Sequence, residues 1–357
     1  MADSRIPVAI LGATGAVGQT FIRLLDGHPW FRVAEVAASE RSAGKSYAEA
    51  TATWLEGQMP ADVAKLVVLP CDPTSVKSPV VFSAVDAAAA QELEPAFAKA
   101  GRFVLSNAKN FRMDADVPLV IPEVNASHFG LITTQRKNRG WTGAVITNAN
   151  CAATAAAVAL APLHEAFGVR SVFAATMQAV SGAGYPGVPS LDILGNVIPY
   201  IGDEEPKIER EMQKMLGRFT GSAIEPAPFV VSAHANRVAV ENGHTVVMSI
   251  GFDKKPSAAD AIAAVRTWRG APEVRGLPSA PDLPLRYTDE PNRPQPRRDA
   301  MLGNGMTVTV GRIREDSILH IKLVAMGHNT IRGAAGGSVL NAELLVAKGL
   351  LPKPGTA

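Results

Sequence analysis

The sequence is poor in cysteine and in excess charge, and each shortage excludes a class of protein. The two cysteines among 357 residues, Cys71 and Cys151, cannot form a disulfide framework, and no cysteine–histidine cluster has the spacing of a zinc site. A formal net charge of +2, without a lysine- or arginine-rich block, argues against nucleic acid or an acidic membrane surface as a partner. The expected ligand is therefore a small molecule.

Long apolar runs are missing as well. No run reaches the roughly 18 to 20 residues that span a bilayer, and the N-terminus has no basic region ahead of its apolar stretch. We therefore expect a cytoplasmic protein without a membrane partner. Hydrophobic residues make up 47% of the chain, which is enough to bury the cores of two domains.

The first 150 residues alternate short β-branched runs with helical patterns, as a parallel sheet covered by helices requires. Strands are predicted at 8–11, 32–37, 66–69, 80–83, 102–105, 119–121 and 144–147, and helices at 15–25 and 87–100. This alternation indicates an α/β domain with a Rossmann-like, doubly wound sheet.

After Asn150 the pattern changes to longer strands with few helices between them. A long alanine-rich helix is predicted at 151–167, followed by strands at 169–179, 229–234, 245–251, 307–314 and 317–325. The proline-rich segment 277–298 is expected to be a connection without regular structure, and a last helix is expected at 337–348. We therefore predict two domains. The Rossmann domain spans 1–150 and is completed by a C-terminal helix within about 330–357, and an α+β catalytic and dimerisation domain spans 151–329 with a mostly antiparallel sheet.

Glycines at positions 12, 15 and 18 have the spacing G-x-x-G-x-x-G between a predicted strand and a helix. Glycines there tighten the turn and let backbone amides reach a pyrophosphate, which predicts a dinucleotide site. Near the end of the second strand, Ser39, Arg41 and Ser42 provide hydroxyls and a cation that suit a 2′-phosphate, although the neighbouring Glu40 and the simpler hypothesis of a solvated loop weigh against this. We predict NADP as the cofactor.

Cys151 is the candidate nucleophile because it follows a predicted strand and opens a helix. The positive end of the helix dipole and the unpaired amides of the first turn should lower the thiol pKa and should also stabilise an oxyanion. Cys71 lacks such a setting. Among seven histidines, His244 is the best proton handler because it follows a turn and opens a strand, and His234 and His328 are the fallback candidates.

Several long motifs together resemble the aspartate-semialdehyde dehydrogenase family, in its archaeal and fungal branch. The motifs occur in family order along nearly the whole chain: Gly12-Ala13-Thr14-Gly15, Gln135-Arg136-Lys137, Asn150-Cys151, Gln178-Ala179-Val180-Ser181-Gly182-Ala183-Gly184-Tyr185-Pro186-Gly187, Asn236-Arg237-Val238, Gly243-His244 and Arg332-Gly333-Ala334-Ala335-Gly336. The resemblance implies reduction of L-aspartyl-4-phosphate by NADPH to L-aspartate-4-semialdehyde and phosphate, a step toward diaminopimelate, lysine, threonine and methionine.

The resemblance also implies a role for each site residue. Cys151 would be the nucleophile, His244 the acid/base and Gln178 a positioning residue beside a thioester. Arg237 would bind the substrate α-carboxylate and Glu204 its ammonium group, while Arg112 and Lys207 would bind phosphate and Asn150 would complete the substrate site. The implied cofactor contacts are Gly12, Thr14, Gly15, Ala16, Val17, Ser39, Arg41, Ser42, Ser83, Ala84, Ser181, Gly182 and Asn341.

The chain departs from the family pattern around the nucleophile. Ala149 replaces a proline, and Ala152 and Ala153 replace hydroxyl residues. These changes leave open whether the thioester and the cofactor make the contacts that are usual in the family. Three alternatives also stay open: a malonyl-coenzyme A reductase on the same fold, a dinucleotide-binding protein without catalysis, and, more distantly, a reductase of N-acetyl-glutamyl phosphate. The resemblance implies a homodimer or homotetramer joined through the second domain.

Overall fold

A six-stranded parallel sheet organises the first half of the chain. The computed structural model describes residues 3–354, so positions 1, 2 and 355–357, including the end of the predicted C-terminal segment, lie outside the described residues. The strands are β1 (Ile6–Leu11), β2 (Phe31–Ala38), β3 (Val68–Pro70), β4 (Val80–Ser83), β5 (Phe103–Ser106) and β6 (Ala144–Thr147). Their order is β3-β2-β1-β4-β5-β6, which confirms the doubly wound prediction and places the ligand crevice between β1 and β4, at the carboxyl edge.

The predicted strand at 119–121 is wrong. Only Leu119 forms a bridge, to Thr147 of β6. The Asn125 side chain accepts a hydrogen bond from the Ile121 amide (2.8 Å) and donates one to the Leu119 carbonyl (2.9 Å). Because these are the backbone groups that a strand would pair, the segment turns instead into a short helix.

Helices cover the first sheet and also occur between the strands of the second half of the chain. They are α1 (Ala16–Leu25), α2 (Tyr47–Ala50), α3 (Ala87–Lys99), α4 (Pro122–Asn125), α5 (Leu131–Arg139), α6 (Cys151–Phe167), α7 (Ser190–Ile193), α8 (Glu204–Met215), α9 (Ala258–Thr267), α10 (Pro296–Asp299) and α11 (Gly336–Ala347). Within residues 3–354, no helix has both the length and the apolar character that crossing a membrane requires.

The second sheet is mixed. Its strands are β7 (Val169–Gln178), β10 (Val230–Arg237), β11 (His244–Phe252), β12 (Leu285–Thr288), β13 (Val308–Glu315) and β14 (Ile321–Gly327), in the order β10-β7-β11-β14-β13-β12, and β8 (Arg218–Phe219) and β9 (Ile224–Glu225) form a separate ribbon. The three central pairings are antiparallel, and the outer pairs β10–β7 and β12–β13 are parallel.

The structure corrects two boundaries in this half. The predicted connection 277–298 contains β12 and α10, because Leu285 and Thr288 are buried as β12 pairs with β13. The predicted strand at 317–325 starts only at Ile321, because the preceding residues form the turn in which the Asp316 amide donates to the His320 carbonyl.

Helix α6 links the two halves and sets the position of the site. Every residue from position 152 to 163 is buried, as expected for a helix that is apolar on all sides. Its many alanines let the second sheet, α8 and α9 pack closely around it. The last helix, α11, returns to the first sheet, where Leu340, Leu344 and Leu345 join the core cluster around β1. The first residue of α6 therefore lies where the two cores meet.

Candidate active site

Cys151 begins α6 a few residues after β6 ends. Asn150 is the N-cap, and its Oδ1 accepts hydrogen bonds from the amides of Ala152 (3.0 Å) and Ala153 (2.9 Å). An asparagine cap of this kind satisfies donors that the helix itself leaves unpaired. The cap therefore already occupies these two amides, and the Ala152 amide also reaches the Cys151 sulfur, so the oxyanion role of the first turn stays a prediction.

His244, the first residue of β11, lies against the thiol. Its Nε2 is 3.1 Å from Cys151 Sγ, and its Nδ1 is 3.1 Å from the Ala179 amide. A backbone amide can only donate, so Nδ1 must accept and the neutral ring carries its proton on Nε2. The ring consequently donates a hydrogen bond toward the sulfur.

The ionisation state of this pair differs from the sequence-based prediction. Although Cys151 is only half-buried as a residue, desolvation by the surrounding protein raises the pKa of its thiol to about 12, and Glu204 acts in the same direction. Burial, with Arg237 and His328, lowers the pKa of His244 to about 3. The predicted lowering of the thiol pKa is wrong because desolvation outweighs the helix N-terminus. Both groups are neutral at pH 7.

A cluster of buried polar side chains lies next to the thiol. Glu204 Oε1 accepts hydrogen bonds from Asn150 Nδ2 (2.7 Å) and from Gln178 Nε2 (3.1 Å). Arg237, at the end of β10, donates from Nη1 to the Ala179 carbonyl (2.8 Å), and an ideal Cβ built on Gly182 would lie 2.9 Å from the same nitrogen. The cluster thus holds a cation and an anion that both act on the Cys151 sulfur, as a site for a zwitterionic ligand would.

A second, cationic pocket lies beside this cluster. It has a volume of about 400 Å³ and is lined by Lys109, Arg112, Lys207 and Arg210 together with acidic residues. Arg112 is buried, and its Nε has no partner among the described residues. Such a set of donors suits a phosphate.

The glycine-rich turn at the end of β1 leads into α1, whose first residue lines a larger cleft. Gly12 has φ +71°, and an ideal Cβ there would lie 2.6 Å from the Ala84 carbonyl oxygen, so the approach of backbone to backbone depends on glycine. No side chain caps α1, whose N-cap is Gly15. A cavity of about 670 Å³ extends from Ala16 to Ser181 in the second half of the chain. An uncapped helix N-terminus at such a cleft fits a pyrophosphate.

The remaining predicted cofactor residues lie along the same carboxyl edge. Ser39 and Arg41 are exposed and Ser42 is half-buried in the turn after β2, while Ser83 ends β4 next to the glycine turn. Thr14 and Val17 are half-buried in the glycine turn and the first turn of α1.

Ser181 lines the cleft from the second half of the chain, and Asn341 is buried on α11. Asn341 Nδ2 donates to Asn148 Oδ1 (3.0 Å), but its Oδ1 is buried with no partner among the described residues. Ser181 Oγ accepts from Asn329 Nδ2 (2.8 Å). The unpaired Asn341 oxygen is a ready acceptor for an amide group, and a nicotinamide carries one.

Neither fallback candidate forms a hydrogen bond with the sulfur within residues 3–354. His234 is exposed on β10 against Phe173, and His328 accepts the Ile331 amide through Nδ1 (3.3 Å). Cys71 follows β3, and burial raises the pKa of its thiol. Across residues 3–354 no group of three or more His, Cys, Asp or Glu side chains could hold a metal ion.

Known proteins match this chain over nearly its whole length. Residues 7–132 match the NAD-binding domain of semialdehyde dehydrogenases, and residues 160–332 match their dimerisation domain. The aspartate-semialdehyde dehydrogenase of Archaeoglobus fulgidus is 49% identical over 97% of this chain and 100% of its own length, and that of Schizosaccharomyces pombe is 47% identical over 96% and 99%. The crystal structure of the Candida albicans enzyme with NADP has a TM-score of 0.89 at 41% identity and covers 97% of this chain and 100% of its own.

The chain belongs to the aspartate-semialdehyde dehydrogenase family.

The two family domains leave the nucleophile turn between them. One match ends at residue 132 and the other starts at 160, so Asn150 and Cys151 lie in the intervening segment. The structure nevertheless brings both matched domains to this turn, through Arg112 from the first and through Glu204, Arg237 and His244 from the second. The prediction of a dinucleotide-binding domain at the N-terminus is confirmed by the family match.

The sequence did not indicate several residues of this semialdehyde dehydrogenase site. Glu211 and Lys214 are buried on α8 and contact the loop that carries Arg112. Gly333 packs directly on the nucleophile, since an ideal Cβ there would lie 2.5 Å from Cys151 Cβ. A helical repeat from Glu204 could have indicated Glu211 and Lys214 as members of one face. Gly333 lies in the motif that begins at Arg332, to which the resemblance assigns no role.

Proposed function

We propose that the protein reduces L-aspartyl-4-phosphate with NADPH to L-aspartate-4-semialdehyde and phosphate, through a thioester on Cys151. The observation that carries this proposal is the 3.1 Å contact between Cys151 Sγ and His244 Nε2, flanked by a cation and an anion for the amino-acid end and by a cationic pocket for phosphate. The relatives named aspartate-semialdehyde dehydrogenase support the same reaction.

Substrate recognition would use the two opposite charges beside the sulfur. The planar guanidinium of Arg237 suits bidentate capture of the α-carboxylate, and the Glu204 carboxylate suits the α-ammonium group. Glu204 already accepts hydrogen bonds from Asn150 and Gln178 and forms an ion pair with Lys207 (3.5 Å), and malonyl-coenzyme A, which has no ammonium group, would add no partner to this carboxylate. Because a buried carboxylate beside the sulfur suits a ligand with a positive group, we favour the amino-acid substrate.

The chemistry would proceed on the sulfur in two stages. The Cys151 thiol loses its proton to solvent, because the neutral His244 ring already carries a proton on Nε2; the sulfur then attacks the acyl carbon, the bond to the phosphate oxygen breaks, and phosphate leaves toward Arg112 and Lys207. After reduction of the thioester, the carbon–sulfur bond breaks and the aldehyde forms. His244, through its Nε2 proton, stabilises the negative charge as it returns to the sulfur. Gln178 would keep the acyl group in line.

NADPH would lie in the cleft between β1 and β4 and would supply the hydride for the reduction. The uncapped N-terminus of α1, the close turn at Gly12 and the unpaired Asn341 oxygen fit this group. The residues that would hold it are Gly12, Thr14, Gly15, Ala16, Val17, Ser39, Arg41, Ser42, Ser83, Ala84, Ser181, Gly182 and Asn341. The Candida albicans relative solved with NADP supports this choice of dinucleotide.

We further propose that the chain forms a homodimer or homotetramer through its second sheet, with residues 1–150 and about 330–357 as the cofactor domain and 151–329 as the catalytic and dimerisation domain. The family match to a dimerisation domain supports the assembly. Phe173 and Val230 are large apolar side chains, 44% and 66% exposed, on the face of that sheet opposite α6. The cytoplasmic location stays a prediction.

The test is a steady-state assay with L-aspartate-4-semialdehyde, phosphate and NADP. Wild-type protein should form NADPH, and Cys151→Ala should lose all turnover while still binding NADP in an equilibrium titration. Cys71→Ala is the matched control and should retain wild-type rates. Turnover by Cys151→Ala would exclude the thioester, and NADPH oxidation with malonyl-coenzyme A alone would favour the alternative substrate.

A further inference from the structure

One face of α8 carries alternating charges that contact the active site or the loop that bears Arg112. Glu204, Lys207, Glu211 and Lys214 follow each other at intervals of three and four residues, which is the spacing of one helix face. The first two are the proposed ligands for ammonium and phosphate. The other two are more deeply buried, with Glu211 2% and Lys214 5% exposed, and neither has a part in the proposed reaction.

Glu211 connects the phosphate pocket to the nucleophile turn. Its Oε1 accepts a hydrogen bond from Arg112 Nη1 (3.0 Å), and its Oε2 accepts one from the backbone amide of Asn150 (2.6 Å). Asn150 directly precedes Cys151. One carboxylate thus fixes the guanidinium on one side and the residue before the sulfur on the other.

Lys214 fastens the loop that carries Arg112. Its Nζ donates to the carbonyl oxygens of Arg112 (2.7 Å), Asp114 (2.8 Å) and Val117 (2.8 Å). These three bonds use all the donors of an ammonium group. The backbone of Arg112 is therefore held by Lys214 while its side chain is held by Glu211.

A buried ionic contact costs free energy, because both charges lose their hydration. The Arg112–Glu211 pair leaves the second guanidinium nitrogen bonded to the Asn107 carbonyl (2.9 Å) and leaves Nε unpaired. The Glu211 carboxylate therefore orients the Arg112 guanidinium, whose Nε has no partner among the described residues.

We propose that Glu211 is a positioning residue that sets the phosphate-binding guanidinium of Arg112 at a defined place relative to the Cys151 sulfur. This inference rests on the proposed function. In the direction that consumes phosphate, the oxygen of phosphate attacks the thioester carbon and the sulfur leaves. The rate of that step depends on the alignment of Arg112 with the nucleophile turn, and Glu211 is the group that contacts both.

The test compares Glu211→Gln with Glu209→Gln. Glutamine keeps the size of the side chain but presents a donor either to Arg112 or to the Asn150 amide. The KM for phosphate should rise on the order of tenfold or more, because a charge-assisted hydrogen bond is lost, and the KM for semialdehyde should change by less than about threefold. Glu209, which accepts the Ala233 amide on another side of α8 (3.1 Å), is the matched control and should leave both values unchanged.

A double variant distinguishes positioning through Arg112 from a general loss of structure. If Glu211 acts through Arg112, Glu211→Gln should raise the phosphate KM by less than about twofold once Arg112→Gln is present. The inference would be overturned if the two substitutions raised the phosphate KM by factors that multiply. It would also be overturned if the KM values for phosphate and for semialdehyde rose in parallel. Glu211→Asp, which keeps the charge but shortens the reach, gives the same comparison with a milder change if glutamine prevents folding.

Calorimetric titration with inorganic phosphate separates this inference from the proposed function. Wild-type protein should bind phosphate, and Glu211→Gln should bind it at least about tenfold more weakly, whatever the turnover assay shows. Wild-type phosphate binding without semialdehyde turnover would refute the proposed function and leave the positioning role standing. Equal phosphate affinity of the two proteins would refute the positioning role.

Discussion

Two helices begin at the carboxyl edge of the first sheet, and their first turns are built in opposite ways. Helix α1 starts after Gly15, and no side chain caps it. Helix α6 starts after Asn150, whose side chain occupies the amides of Ala152 and Ala153. Both N-caps have extended backbone, with φ −80° and ψ 164° at Gly15 and φ −52° and ψ 138° at Asn150, so the difference lies in the side chains.

The comparison shows that a helix N-terminus has no fixed function. Uncapped amides are available to an anion from outside, which fits a pyrophosphate at α1. At α6 the cap has already used two of those donors, and the sulfur is instead governed by desolvation and by His244. The same position in the fold therefore gives an anion site in one case and a neutral thiol in the other.

The largest expected effect concerns the ionisation of Cys151. With a thiol pKa of about 12, the thiolate is a small minority at pH 7, and its share rises about tenfold for each pH unit. Alkylation of Cys151 by iodoacetamide should therefore accelerate on the order of 100-fold between pH 7 and pH 9. The measurement uses Cys71→Ala protein, followed by mass spectrometry of the modified peptide. A plateau below pH 8 would show a thiolate that is stabilised by the helix, as the sequence alone suggested.

A smaller effect is expected when α1 is given the cap of α6. Gly15→Asn places Oδ1 where it can accept the amides of Val17 and Gly18, and an ideal Cβ at position 15 meets only the Gly12 carbonyl oxygen, at 3.4 Å. The dissociation constant for NADP should rise on the order of tenfold, because the asparagine competes for the same donors, while the helix gains a few tenths of a kcal/mol.

Gly15→Ala is the control for this substitution, because it adds a Cβ without an acceptor. Fluorescence titration with NADPH should show nearly wild-type affinity for Gly15→Ala and weaker affinity for Gly15→Asn. Equal loss in both variants would mean that bulk, and not competition for the amides, weakens binding. Unchanged affinity of Gly15→Asn would mean that the pyrophosphate does not use this turn.

Local patterns predicted most of the first sheet, because strands and helices alternate there with clear periodicity. They failed where one side chain decides the backbone, as at Leu119 and Ile121, whose hydrogen bonds go to Asn125. They also failed for β12, a strand of four residues within a proline-rich segment, which pairs with β13 and packs against α9.

The site shows the same limit at a longer range. The position of Cys151 between a strand and a helix was visible in the sequence, but its ionisation depends on burial by distant segments, which no local pattern reports. Glu211 contacts Asn150 across 61 positions of sequence and Lys214 contacts Arg112 across 102. Charged residues of this kind in an amphipathic helix are normally read as a solvated face, and only the tertiary structure shows that they are buried.

The smallest expected effect comes from the reverse change, Asn150→Ala, which removes the cap of α6. The free energy of unfolding should fall by about 1–2 kcal/mol, as for other lost N-caps. Ser257→Ala is the matched control, because Ser257 caps α9 far from the thiol through the Asp260 amide (3.1 Å) and should cost a similar amount. Only Asn150→Ala should also raise the KM for semialdehyde, since Glu204 loses the donor at 2.7 Å that orients its carboxylate. It should also speed alkylation of Cys151 at pH 7, because the freed amides of Ala152 and Ala153 favour the thiolate. Urea unfolding and alkylation rates on the two variants test this, and an alkylation rate unaffected by loss of the cap would show that desolvation alone governs the sulfur.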